Sequence, residues 1–184
     1  MRTFVAIDLE PELKKSLQDL VLKLKKTGAD VRWVNFPGMH LTLKFLGDIE
    51  GGRVAAVEAA LRKAASGFSK FALALRGTGT FPEGRNPRVL WVGIKDEPGL
   101  MALADEIEKR LEAEGFPRET RPFHPHLTIG RVKSPSGIQA AVRELERYRE
   151  TSFGEMAAEK VALFESILNP QGAEYRVVSE FGLR

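Results

Sequence analysis

The tetrad HLTL at residues 40–43 recurs as HLTI at residues 126–129, and these two copies of His-x-Thr-x hold two of the three histidines in the chain. Polar and apolar residues alternate through each copy, which predicts a β-strand. Because successive side chains of a strand point to opposite faces, the His and the Thr of each tetrad share one face. Each strand is therefore expected to present an imidazole and a hydroxyl side by side.

The same alternation can be followed beyond each tetrad. In the first strand it places Lys44 on the face of His40 and turns Phe45 to the opposite face. In the second strand, strict alternation turns Arg131 away from its tetrad. Contact between Arg131 and a substrate held there therefore requires the strand to end or twist at Gly130.

With 43% hydrophobic residues, the 184-residue chain can form a core as one large domain or two small lobes within residues 1–184, and we expect a cytoplasmic protein. No apolar run approaches the ~20 residues that cross a bilayer, and the start of the chain leads into a strand pattern rather than a signal peptide. The absence of cysteine excludes disulfides, thiolate metal sites and a cysteine nucleophile. Because 28 basic and 25 acidic residues leave a net charge of only +3, a nucleic-acid partner would be held by local arginines and lysines rather than by the field of the whole protein.

Apolar periodicity, prolines and glycines divide the rest of the chain into helices and strands. Helices are predicted over residues 11–26, 53–65, from 98 to a stop at Gly115, and from 134 to 148. Strands are predicted over residues 3–9, 68–75, 89–94, 157–168 and 174–183, in addition to the two tetrad strands.

The two halves of the chain can be superimposed with an almost constant offset. Gly115, which ends the third predicted helix, follows Gly28, which ends the first, by 87 residues, and His126 follows His40 by 86. This internal repeat predicts an α/β (α+β) fold of two intertwined, βαβ-containing lobes related by a pseudo-two-fold axis. The tetrad strands would then face each other across a central cleft, and each lobe would contribute one tetrad.

Two facing histidines can perform acid and base catalysis, because imidazole titrates near pH ~6.5 and can give or take a proton at neutral pH. The hydroxyls of Thr42 and Thr128 can donate hydrogen bonds to the non-bridging oxygens of a phosphate. In an in-line displacement the attacking and leaving oxygens lie on opposite sides of phosphorus. The site therefore suggests a phosphodiester substrate, with a base on one lobe and an acid on the other.

A metal site is one alternative, since His124 and His126 with His40 supply three candidate ligands. Against it, neither tetrad strand contains Asp or Glu, and Pro125 restricts how His124 can turn. We therefore predict no metal and assign His124 to the lining or the surface.

Plain RNA binding is a second alternative, in which arginines attract the polyanion and aromatic side chains stack on bases. Trp33 and Trp91 lie in apolar strands and are expected in the core, whereas Phe123 is a candidate either for stacking or for packing. The candidate arginines are Arg76, Arg85, Arg88, Arg118, Arg121 and Arg131.

These residues together resemble the two-histidine phosphoesterase superfamily, and specifically the bacterial and archaeal RNA 2′,3′-cyclic phosphodiesterases, also called 2′-5′ RNA ligases or LigT-like proteins. The resemblance covers nearly the whole chain and is more specific than either tetrad alone. Its segments are RTFVAID at 2–8, RWV at 32–34, HLTLKFLG at 40–47, PRVLW at 87–91, RPF at 121–123 and PHLTIGR at 125–131.

The resemblance implies a bilobal fold with antiparallel sheets lining a central cleft, no metal or cofactor, and hydrolysis of RNA 2′,3′-cyclic phosphate ends to 2′-phosphomonoesters. By position, His40 would donate a proton to the leaving 3′ oxygen and His126 would accept the proton of water. Thr42 and Thr128 would hold the phosphate oxygens, assisted by Arg131. A monomer acting on RNA ends is expected, with 2′-5′ ligation of tRNA halves as a side reaction. The alternative is a non-catalytic RNA-end or nucleotide-binding protein on the same fold.

Overall fold

Nine strands in two antiparallel sheets form the framework of the protein, in a computed structural model that describes residues 1–184. The first sheet has the order β3-β1-β8-β9 and the second sheet the order β2-β6-β5-β4-β7. The strands are β1 (Arg2–Asp8), β2 (Val31–Trp33), β3 (His40–Asp48), β4 (Phe71–Phe81), β5 (Val89–Ile94), β6 (His126–Val132), β7 (Ser152–Ala158), β8 (Lys160–Asn169) and β9 (Gly172–Gly182).

Four helices cover one face of the sheets. They are α1 (Pro11–Lys25), α2 (Val54–Ser66), α3 (Pro98–Ala113) and α4 (Ile138–Glu146), and short 3-10 turns occur at Phe36–Gly38 and Gly51–Arg53. Proline at the first position of α1 and α3 starts each helix without loss of an intrahelical hydrogen bond. None of the helices is both long and apolar enough to cross a membrane.

Two of the helices connect the sheets, because each follows a strand of one sheet and packs against a strand of the other. Helix α1 follows β1 of the first sheet and packs against β7 of the second, whereas α3 follows β5 of the second sheet and packs against α2 and β3. The buried faces of helices and sheets merge into one cluster of 38 residues. The two sheets therefore share a core and hold each other in place.

The internal repeat is visible in this topology. The segment β1-α1 and the segment β5-α3 have the same order, and α3 begins at Pro98, which is 87 residues after the start of α1 at Pro11. Strand β1 pairs with β3, which carries the first tetrad, and β5 pairs with β6, which carries the second. The predicted fold class, a mixed α+β architecture with antiparallel sheets, is confirmed.

The predicted secondary structure was wrong in three regions. Strand β4 runs to Phe81 rather than ending near residue 75, because Gly77 forms a bulge at a φ of +79° and Gly79 pairs with Trp91 of β5, so neither glycine forms a turn. The segment predicted as one strand from 157 to 168 is the end of β7 followed by β8, and β7 itself was missed. Helix α4 begins at Ile138 rather than at 134, since Gly137 adopts a φ of +71° that ends the preceding turn.

Candidate active site

The first tetrad lies on β3, between the helical core and the open face of the first sheet. Leu41 and Leu43 are fully or almost fully buried, whereas His40 and Thr42 are half-buried on the opposite side of the strand. The imidazole and the hydroxyl therefore share one face. In each sheet, we call the face that carries the His and the Thr of its tetrad the tetrad face.

A β-bulge follows the first tetrad. In the pairing of β1 with β3, Ala6 lies opposite Thr42 and Val5 opposite Lys44, so Leu43 is an extra residue. The bulge reverses the alternation, and the prediction that Lys44 shares the face of His40 is wrong.

Lys44 instead points into the core side of the sheet. Its Nζ donates hydrogen bonds to Glu108 Oε2 at 2.8 Å and to the carbonyl of Pro117 at 2.9 Å, and the side chain is only 5% exposed. Lys44 therefore ties β3 to α3 and to the loop that precedes the second tetrad, and it does not reach the tetrad face.

The same bulge turns Phe45 onto the tetrad face, contrary to the prediction. Phe45 pairs with Phe4 of β1, the two ring centroids are 6.0 Å apart, and Phe45 is 72% exposed. A large exposed aromatic ring therefore lies on the sheet face that carries His40.

The second tetrad repeats this arrangement on β6. Leu127 and Ile129 are buried, and His126 and Thr128 are half-buried on the other face. In the pairing of β5 with β6, Trp91 lies opposite Thr128 and Leu90 opposite Gly130, so this strand is also bulged, at Ile129.

The second bulge brings Arg131 onto the tetrad face. Val89, two residues from Trp91 on β5, lies opposite Arg131, so Arg131 shares a face with Thr128 and His126. Contact between Arg131 and a substrate at the tetrad was expected to require an irregularity of the strand near Gly130, and the bulge at Ile129 is that irregularity. Arg131 is exposed and follows His126 by the same five residues that separate Phe45 from His40.

An aromatic enclosure surrounds His40. Its ring stacks on Phe4 and Phe164, with centroids 4.8 and 5.4 Å away, and makes an edge-to-face contact with Tyr175, whose ring centroid is 5.0 Å away. Its buried Nδ1 has no hydrogen-bond partner. This apolar enclosure was not predicted, because two of its members come from β8 and β9, far along the chain.

Burial in this enclosure lowers the pKa of His40 from 6.5 to about 4. The nearby carboxylate of Asp8 acts in the opposite direction and the ammonium of Lys14 adds to the decrease. Asp8 is partly neutralised by Lys14, whose Nζ lies 2.9 Å from its carboxylate. His40 is therefore neutral at pH 7 in the free protein.

His126 has a polar partner that fixes its orientation. Its Nδ1 lies 2.6 Å from the carbonyl oxygen of His124, and because a carbonyl can only accept, Nδ1 carries the proton. The neutral ring then has its lone pair on Nε2. Phe81 and Trp91 pack beside the ring, with centroids 5.0 and 6.5 Å away.

The prediction that Trp91 belongs to the core is wrong, since the residue lies on the tetrad face of β5 and is half-buried. Its indole lies over Gly79 of β4, where an added Cβ would be 2.2 Å from the ring. Glycine at this position therefore makes room for Trp91 beside His126. Trp33, by contrast, packs against the core as expected.

The strands that carry the tetrads, β3 and β6, contact each other although they belong to different sheets. The structure thus groups His40 and Thr42 on one sheet, and His126, Thr128 and Arg131 on the other, along contacting strands. Each sheet contributes one imidazole and one hydroxyl.

The other candidates are placed elsewhere. His124 is exposed, and Phe123 packs against the core rather than standing free for stacking. Arg118 and Arg121 form ion pairs with carboxylates. No three His, Asp or Glu side chains lie close enough to hold a metal ion together.

Comparisons with known proteins agree on one family. A model of the 2′-5′ RNA ligase superfamily matches residues 4–167. A Thermotoga maritima protein named RNA 2′,3′-cyclic phosphodiesterase is 35% identical over 181 residues, which are 98% of this chain and 94% of the relative. A protein of the same name from Archaeoglobus fulgidus is 34% identical, covering 98% of this chain and 99% of its own.

Solved structures show the same fold. A crystal structure of a Thermus thermophilus protein superimposes with a TM-score of 0.83 at 31% identity, covering 100% of this chain and 98% of the other. E. coli LigT complexed with 3′-AMP gives a TM-score of 0.79 at 25% identity, covering 99% and 97%.

Proposed function

This chain belongs to the 2′-5′ RNA ligase superfamily, and we propose that it is an RNA 2′,3′-cyclic phosphodiesterase in which His40 and His126 form an acid/base pair. The observation that carries the proposal is the matched pair of tetrads, each placing an imidazole beside a hydroxyl on one of two contacting strands, β3 and β6. Relatives that span nearly the whole chain and carry this name support the reaction.

In the proposed reaction, water attacks the phosphorus of the cyclic phosphate and the bond from phosphorus to the 3′ oxygen breaks. Nε2 of His126 takes a proton from the attacking water, and His40 gives a proton to the leaving 3′ oxygen. The product is a 2′-phosphomonoester with a free 3′ hydroxyl. A base and an acid on different sheets suit an in-line displacement, where the two oxygens lie on opposite sides of phosphorus.

The role of His126 as the base is supported by its hydrogen bond to the carbonyl of His124. That bond keeps the proton on Nδ1 and leaves Nε2 free to accept one. As the imidazolium forms, the same carbonyl stabilises its positive charge.

The role of His40 as the acid requires its pKa to rise when substrate binds. Burial holds the pKa near about 4 in the free protein, but a phosphate anion placed against the ring favours the charged form. The aromatic enclosure then excludes water around that ion pair, which strengthens the attraction. Substrate binding thus creates the acid that the reaction uses.

The phosphate oxygens are assigned to Thr42, Thr128 and Arg131. Hydroxyls on both strands can donate hydrogen bonds to the non-bridging oxygens, and the guanidinium neutralises charge that develops at phosphorus. No metal or cofactor takes part in the proposed reaction.

The same geometry serves 2′-5′ ligation of tRNA halves as a side reaction. A 5′ hydroxyl of a second RNA strand then replaces water, and its proton goes to His126 in the same way. Since one chain supplies both tetrads, a monomer in the cytoplasm is proposed as the active form.

An assay on an oligoribonucleotide that ends in a 2′,3′-cyclic phosphate tests the proposal. In the presence of a chelator, the protein is expected to convert it to a product heavier by one water, with the phosphate on the 2′ oxygen. Saturable binding with an unchanged substrate mass would instead support the alternative, a non-catalytic RNA-end-binding protein.

A further inference from the structure

Arg32 lies beside Arg131 at the edge of the second sheet. Strand β2 is the edge strand, and Arg32 pairs directly with Arg131 of β6, which in turn pairs with Val89 of β5. Residues paired in this way project to the same face. Arg32 therefore shares the tetrad face with Arg131, Thr128 and His126.

Gly130 allows β2 to lie against β6 at this point. An added Cβ at Gly130 would come within 2.7 Å of Val31 Cγ1 and 2.9 Å of the Trp33 ring. Those two side chains hold the core face of β2, so the residue between them, Arg32, is fixed on the opposite face.

The two arginines form an unbalanced charge pair. Both are exposed, and neither has a carboxylate within ion-pair distance. Like charges directly opposite each other across two strands are unfavourable. Arg118 and Arg176, by contrast, are both neutralised by acidic neighbours. Two neighbouring guanidinium groups that no carboxylate neutralises can bind anions such as phosphates.

The position of Arg32 relative to the second tetrad indicates which anion it would bind. Arg131 follows His126 by five residues, one of which is taken up by the bulge, so their Cα atoms are roughly 13 Å apart along the strand. Arg32 lies one strand further out, at the sheet edge. An RNA that ends in a cyclic phosphate has its other phosphates only on the 5′ side of that end.

We propose that Arg32, one strand further out than Arg131, binds a phosphate on the 5′ side of the terminal nucleotide while Arg131 holds the cyclic phosphate, so that the protein selects RNA ends over cyclic mononucleotides. This inference rests on the proposed function and adds a residue that determines substrate length. Arginine suits the task because its planar guanidinium can bind two phosphate oxygens at once.

The test compares kcat/KM for three substrates with the same terminal nucleotide: a nucleoside 2′,3′-cyclic phosphate, its 5′-phosphorylated form, and a tetranucleotide. Arg32→Gln is expected to lower the ratio of tetranucleotide to unphosphorylated mononucleotide by about tenfold, the usual size of one charge-assisted hydrogen bond. For the tetranucleotide, the slope of log(kcat/KM) against log salt concentration should become shallower by about 0.7, the value for one phosphate contact on a single strand. The 5′-phosphorylated mononucleotide distinguishes the nearest phosphate from more distant ones.

Two further variants serve as controls. Arg32→Lys keeps the charge and should retain most of the salt dependence. Arg143→Gln removes an exposed arginine from α4, which packs against the opposite face of the second sheet, and should leave the ratio at its wild-type value.

An unchanged ratio in Arg32→Gln would overturn the inference, as would an equal loss for all three substrates, because that would place Arg32 at the cyclic phosphate itself. Failure of the wild-type protein to hydrolyse any of the three substrates would instead contradict the proposed function.

Discussion

Replacing either His40 or His126 with Ala is expected to lower kcat/KM for hydrolysis of a cyclic-phosphate RNA end by about 10²- to 10⁴-fold, the usual contribution of one general acid or base. The two losses should be of similar size, since each residue moves one proton in the same displacement. Because the residues act as a pair, the double variant should lose much less than the product of the two single losses. Rates are to be measured at saturating and subsaturating substrate.

His124→Ala is the matched control for these variants. Its imidazole is exposed, and the group that holds His126 Nδ1 is the backbone carbonyl, which the substitution keeps. The rate should stay near the wild-type value. Full activity in both His40→Ala and His126→Ala would disprove the acid/base pair.

Lys44→Met is expected to destabilise the protein by about 3–5 kcal/mol, because it leaves the largely buried carboxylate of Glu108 without a positive charge and with only the backbone N–H of Glu119 as a donor. Both side chains lie largely out of water, at 5% and 15% exposure, so the uncompensated charge cannot be hydrated at low cost. The substitution also removes the hydrogen bond that Lys44 donates to the carbonyl of Pro117. Chemical denaturation at neutral pH measures the change in free energy of unfolding.

Two controls distinguish this buried ion pair from a general loss of charge. The double variant Lys44→Met/Glu108→Leu removes both charges and should recover most of the stability. Lys70→Met breaks the exposed pair with Glu159, whose atoms are 3.9 Å apart, and should change stability by less than about 1 kcal/mol. If Lys44→Met kept wild-type stability but lost activity, Lys44 would contact the substrate, which contradicts its position on the core side of the sheet.

The tetrads themselves were predictable from sequence, because alternation within four residues requires no knowledge of the partner strand. The bulges at Leu43 and Ile129 were not, since a bulge is defined by the residues opposite it on β1 and β5. One extra residue moved Lys44 into the core and brought Phe45 onto the tetrad face. Alternation in the sequence therefore predicts the face of each side chain only as far as the first bulge in the strand.

The surroundings of His40 were beyond sequence reasoning for a similar reason. Phe164 and Tyr175 come from the last two strands, and only the sheet order places them against a residue of β3. The low pKa of His40 is therefore a property of the tertiary fold. The internal repeat, in contrast, was detectable because Gly28 and Gly115 end equivalent helices at nearly the spacing of the two histidines.

Whether both tetrads hold one phosphate is tested most directly by an NMR titration of the histidine rings with a nucleoside 2′-monophosphate, the proposed product. In the free protein, His40 should titrate with a pKa of about 4. As the ligand concentration rises, the chemical shifts of His40 and His126 should change with the same midpoint, while that of His124 should change little. In the complex, the pKa of His40 should rise towards neutrality. A shift of only one of the two rings, or two curves with different midpoints, would show that the tetrads do not form a single site.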